Sequence, residues 1–122
     1  MNTRLALLVD DDPVMHLLVS DLLRHLGLTT EIATTVEEAW IKVNTVQTSI
    51  ILLDLFLKEG TTAPLIRRLR TSGLSPKPSI LLVSSHEEGS SLLGESARPD
   101  AVLRKPFNLT DLKAALQALG VL

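Results

Sequence analysis

The chain contains no cysteine and no tyrosine. Without cysteine there is no disulfide, no thiolate zinc site and no cysteine nucleophile. Phe56, Phe107 and Trp40 are the only aromatic residues, so any core must be built from aliphatic side chains. Neither charge is in surplus: the net charge of −2 leaves no electrostatic footprint for nucleic acid or an anionic membrane. Long hydrophobic runs are missing too. The apolar stretch near the N-terminus, Leu5–Val9, is too short for a signal peptide and far too short to span a bilayer. The expectation is a cytoplasmic protein that binds neither nucleic acid nor membrane directly. What is present suits one globular domain: 122 residues, 45% hydrophobic and 21% charged, can bury a real core.

Strand-like and helix-like segments alternate along the chain. Leu5–Val9 is a continuous apolar run, as in a strand covered on both faces. From Pro13, the apolar residues Val14, Leu17, Leu18, Leu22 and Leu26 recur at helical spacing until Gly27. "TTEIAT" reads as a short second strand. Thr35 and Glu38 then form a capping-box pattern opening a helix with Val36, Ala39, Trp40 and Val43 inward. "SIILLD" (Ser49–Asp54) and "PSILLVSS" (Pro78–Ser85) are further buried strands, separated by a helix that starts at Pro64. The stretch 86–98 is assigned to a fourth helix, although its periodicity is poor. "DAVLR" is the fifth strand, and Asn108 caps a last helix through Leu112, Leu116 and Leu119. Five such βα units predict an α/β fold with a doubly wound, five-stranded parallel sheet.

Such a sheet carries its site at the carboxyl ends of its strands. Asp10, Asp11, Asp54, Ser84 and Lys105 all end or follow an apolar strand. Asp12 has an ordinary role, since Asp followed by Pro suits the N-cap and first position of a helix. Asp10 and Asp11 do not, and a pair of carboxylates ~4 Å apart repels by about 4 kcal/mol at an effective dielectric of 20. A hard cation such as Mg²⁺ removes that repulsion and takes oxygen ligands only. A carboxylate in such a cleft can also attack phosphorus, with a lysine, a hydroxyl and backbone N–H groups neutralising the phosphoryl oxygens.

In these motifs the chain resembles the receiver domain of bacterial two-component response regulators. The resemblance covers essentially the whole chain, 1–122, and implies the flavodoxin-like (βα)5 fold with strand order 2-1-3-4-5. "LLVDDDP" matches the acidic pair, implying metal-binding roles for Asp10 and Asp11. "IILLDLFL" implies Asp54 as phosphoacceptor and metal ligand and the backbone carbonyl of Phe56 as a further ligand. "ILLVSS" implies Ser84 as the switch hydroxyl with Ser85 in the small position after it. "LRKPF" implies Lys105 as the phosphate-pairing lysine and a cis Lys105–Pro106 peptide. The implied cofactor is Mg²⁺ or Mn²⁺, and the implied donor is a histidine kinase or histidine phosphotransfer protein. The face of the fourth helix, fifth strand and fifth helix is a candidate for homodimerisation. Four features depart from the family's pattern. Val102 stands where an aromatic residue often swings inward, and Lys58 where proline is common. Thr61 or Thr62 replaces a glycine, and "SARPDAV" replaces an Ala-Gly-Ala run.

Two other readings compete. Asp10-Asp11-Asp12-Pro13-Val14 also fits the opening of haloacid-dehalogenase-type phosphatases, with Asp10 as nucleophile. Against that, Pro13 starts a helix where those enzymes place a hairpin, only Asp111 follows Lys105 as a carboxylate, and Asp54 is left without a role. A receiver-like module that is never phosphorylated typically lacks an acidic residue, the phosphoacceptor or the lysine, and none is lost here. A dinucleotide-binding domain is excluded because no G-x-G-x-x-G or P-loop follows the first strand. His16, His25 and His86 have no partners at metal-ligand spacing, and Arg67, Arg68 and Arg70 read as a solvated helix face.

Overall fold

The computed structural model describes residues 4–85 and 91–122. In chain order the elements are β1 (Arg4–Val9), α1 (Pro13–His25), β2 (Leu28–Ala33), α2 (Val36–Thr45), β3 (Ile50–Asp54), β4 (Phe56–Leu57), β5 (Gly60–Thr61), α3 (Ala63–Thr71), β6 (Ser79–Ser84), β7 (Ala101–Arg104) and α4 (Leu109–Ala118). Two short 3-10 turns, Ser91–Leu93 and Glu95–Ala97, lie between β6 and β7. Five strands form one parallel sheet in the order β2-β1-β3-β6-β7, while β4 and β5 pair as a small antiparallel hairpin. With the hairpin set aside, this is the expected 2-1-3-4-5 order. The hairpin carries no signature in the sequence pattern, since each of its strands is two residues long.

Alternation along each strand divides the core in two. Leu7, Val9, Ile51, Leu53, Ile80 and Leu82 face α2, α3 and the 3-10 turns, where they meet Ala39, Val43, Leu65, Ile66, Leu69, Leu93 and Ala97. Their neighbours Ala6, Leu8, Ile50, Leu52, Leu81 and Val83 face α1 and α4, against Val19, Leu23, Leu112 and Leu116. A sheet buried on both faces explains why these strands read as unbroken apolar runs rather than as alternating ones.

Helix starts follow the sequence closely. Asp12 caps α1 by accepting the Val14 N–H at 3.0 Å, and Pro13 occupies the first turn. In α4 the capping box is complete, Asn108 accepting from the Asp111 N–H and Asp111 from the Asn108 N–H. In α2 the Thr35 hydroxyl oxygen accepts the Glu38 N–H, but the Glu38 carboxylate reaches back to Thr34 instead of Thr35.

The structure selects one stripe of α1 and corrects one expected helix. The buried stripe of α1 is Val19 and Leu23, flanked by the part-buried Met15, Leu22 and Leu26. Val14, Leu17 and Leu18 are 69%, 78% and 49% exposed. The helix carries more apolar residues than one stripe can bury, and the cap at Asp12 fixes which stripe meets the sheet. The expected fourth helix is the correction. Residues 86–90 lie outside the described residues, and 91–97 form 3-10 turns, not α-helix. Gly94 separates the two turns at φ +86°, a conformation that does not continue a helix, and Pro99 follows closely. Leu93 and Ala97 nonetheless fill the core place that a longer helix would fill.

Candidate functional site

Strand register assembles the site. β1 lies between β2 and β3, so the chain departs in opposite directions from this point of the sheet and opens a crevice at the strand ends. Val9 pairs with Leu53, which brings Asp10 and Asp54 to the same level on adjacent strands. Asp54 pairs with Val83, so Ser84 stands one step beyond it, and Ser84 in turn pairs with Arg104. The Lys105 N–H donates to the Ser84 carbonyl at 2.9 Å, extending that ladder to the lysine. Strand pairing alone therefore delivers Asp10, Asp54, Ser84 and Lys105 to one edge.

The three carboxylates of Asp10, Asp11 and Asp54 each present an oxygen within 4.8 Å of the other two. Each ionised pair at that spacing repels by about 3 kcal/mol at an effective dielectric near 20. Asp10 is buried and accepts the Asp12 N–H at 2.9 Å. Asp11 accepts the Lys58 N–H at 2.8 Å. The Lys105 ammonium donates to Asp54 Oδ1 at 3.4 Å, a part-buried ion pair. Burial pushes the Asp54 carboxyl above its ordinary 3.8; Lys105 opposes that shift and Asp10 adds to it. The donor set fits a hard divalent cation: oxygen ligands only, three negative charges, and one cation among the close partners.

The remaining expected residues fall as follows. Phe56 opens the hairpin two residues beyond Asp54 and is 44% exposed. Ser84 is buried and Ser85 exposed beside it. Lys105–Pro106 is cis, as expected, and so is Ser75–Pro76. Val102 lies on the edge strand β7, 43% exposed and paired with Leu82.

Two contributors escaped sequence reasoning. Thr62 is fully buried, and its hydroxyl donates to the Asp54 backbone carbonyl at 2.9 Å. This tethers the end of β3 to the start of α3. The His16 ring nitrogen Nε2 lies 2.5 Å from the Asp10 carbonyl, anchoring α1 to the loop that carries the acidic pair. The spacing from Asp10 to His16 placed the histidine on the first helix but said nothing of its reach back to the strand end.

The sequence model of the response regulator receiver domain matches residues 6–117. The chain belongs to that family. Transcriptional regulatory protein TrcR of Mycobacterium tuberculosis is 31% identical over 93% of this receiver domain and 44% of its own length. Transcriptional regulatory protein PmrA of Pectobacterium parmentieri is 29% identical, over 93% of this chain and 50% of its own. The chain thus spans about half the length of the curated relatives it matches. Among solved structures, a CheY-like receiver domain from Methylobacillus flagellatus superposes with a TM-score of 0.85 at 23% identity, covering 97% of this chain and 99% of that one. The receiver domain of a sensor histidine kinase from Pseudomonas aeruginosa gives 0.86 at 23% identity, covering 96% and 97%, and holds a magnesium ion in its active-site cleft. These likenesses show the fold. Among the described residues no helix is long and apolar enough to cross a membrane.

Proposed function

We propose that the chain, residues 1–122 as one unit, accepts a phosphoryl group on Asp54 and thereby switches partner binding in a two-component pathway. The observation that carries this reading is the joining of three carboxylates and one lysine at a single sheet edge by strand register. Asp54 is the nucleophile because its carboxylate is the one paired with the lysine, and burial makes it more basic than an ordinary aspartate. Its oxygen forms the new O–P bond while the P–N bond of a phosphohistidine breaks. The imidazole leaves with the bonding electron pair and is reprotonated by solvent.

Asp10, Asp11, Asp54 and the Phe56 carbonyl would hold Mg²⁺ or Mn²⁺, which supplies charge neutralisation for the phosphoryl oxygens when bound. Lys105 covers a further oxygen, and Ser84 with Ser85 the remainder. The donor is a histidine kinase or histidine phosphotransfer protein. The exposed Val14, Leu17 and Leu18 on α1, which starts beside the acidic pair, offer an apolar surface for a partner helix. Leu92, Val102 and Leu109, exposed on the 3-10 turn, β7 and the start of α4, belong to the face expected for homodimerisation.

Intact-mass measurement after incubation with acetyl phosphate tests the reading. One phosphoryl group is expected with Mg²⁺ and none without it. Mg²⁺-independent labelling, or none at all, would contradict it.

A further inference from the structure

The acidic cluster includes one contact that the side-chain chemistry does not demand. Asp11 is tied by a backbone amide, the Lys58 N–H, across 47 positions of sequence. Lys58 and Glu59 form the two-residue turn of the hairpin, between Leu57 and Gly60, which are paired. That turn is anchored twice. Lys58 binds Asp11, and the Glu59 carboxylate accepts the Val36 N–H at 2.6 Å, at the first turn of α2. A turn held at both of its residues presents its amide in a fixed place.

Resting on the cation reading above, we propose that the Lys58 backbone N–H is a positioning donor for the cation site. A carboxylate has two oxygens with about four acceptor positions. The amide engages Oδ2 of Asp11 and so sets the rotation of the group, leaving the other oxygen directed by that choice. Donors outside the ligand set that orient ligands commonly change metal affinity about 10–100-fold when removed. The device depends on the residue at 58 having an N–H, which every residue except proline supplies. The side chain of Lys58 has no part in it.

That separation makes the test specific. Proline is suited to the first central position of a tight turn, and Leu57 before it is already extended, so Lys58→Pro removes the N–H with little demand on the backbone. Lys58→Ala keeps the N–H and removes the ammonium. Calorimetric titration with MgCl₂ is expected to give the same affinity for wild type and Lys58→Ala, and about tenfold weaker binding for Lys58→Pro. Equal affinity in all three proteins would overturn the positioning role while leaving the cation site intact. Absence of binding in the wild type would instead overturn the cation reading. A measurement on the wild type alone covers the case in which Lys58→Pro misfolds. The Lys58 amide proton should exchange slowly with solvent, with and without Mg²⁺, and exchange at the rate of an open loop in both states would overturn the proposal.

Discussion

Two crossovers in this molecule do the same topological job with different means. Between β1 and β2 the chain builds a capped helix, α1, which lays Val19 and Leu23 on the sheet. Between β6 and β7 the described residues form only two 3-10 turns, which place Leu93 and Ala97 on the opposite face. Both connections return the chain to a parallel strand, and both strands end at the same edge. The site depends on where strands end, so the carboxylates reach one edge although residues 91–97 form 3-10 turns where 13–25 form an α-helix.

The comparison breaks first on stability. Leu→Ala in a close-packed site costs about 2–5 kcal/mol, the larger values arising where the surroundings cannot collapse. Leu23, on a regular helix, should fall near the upper end at about 4 kcal/mol, and Leu93, on a short turn, near the lower end at about 2 kcal/mol. Denaturant unfolding of Leu23→Ala and Leu93→Ala checks the order. Equal losses would mean that the turn region is packed as rigidly as the helix.

A smaller effect separates the site from the core. Asp54 is held with its pKa raised, so between 3.8 and the raised value the native state binds the proton more tightly than the unfolded chain. Stability therefore falls as pH rises through that window, and ionised Asp54 is a net cost at neutral pH. Asp54→Asn, which removes the charge, should raise the unfolding midpoint at pH 7, and the gain should vanish as pH is lowered through the raised pKa to below 3.8. Thermal unfolding in Mg²⁺-free buffer at several pH values is the check. A gain that persists at low pH would assign it to something other than charge burial.

The smallest expected effect concerns the switch. Val102 is β-branched and stiff, and is already 43% exposed, so it cannot trade a buried for an exposed position as an aromatic ring would. Beryllofluoride, a phosphoryl mimic, should shift the amides of Ser84 and Ser85 strongly and those of β7 weakly. A large repacking of Val102 would show that the switch does not depend on ring size.

The sheet was legible in the sequence because strands buried on both faces read as short continuous aliphatic runs, Ile50–Leu53 among them. The strand-end residues followed, since each ends or follows such a run. What was not legible depended on contacts between distant segments. Which stripe of α1 packs was not legible, because Val14, Leu17 and Leu18 are as apolar as the residues that pack. The hairpin of β4 and β5 has only two residues per strand, too few to carry a period. Thr62 and Lys58 act through a hydroxyl on a carbonyl and an amide on a carboxylate, and no spacing announces either bond.

The central claim is that Asp54, not the aspartate triplet after β1, receives the phosphoryl group. Borohydride reduction of the labelled protein followed by tryptic mapping tests it most directly, because the two candidates fall in different peptides. Residues 43–58 contain Asp54 as their only carboxylate side chain, while residues 5–24 contain Asp10, Asp11 and Asp12. The account predicts conversion of Asp54 to homoserine in the first peptide and an unmodified second one; modification at Asp10 would contradict it and favour the phosphatase-type chemistry.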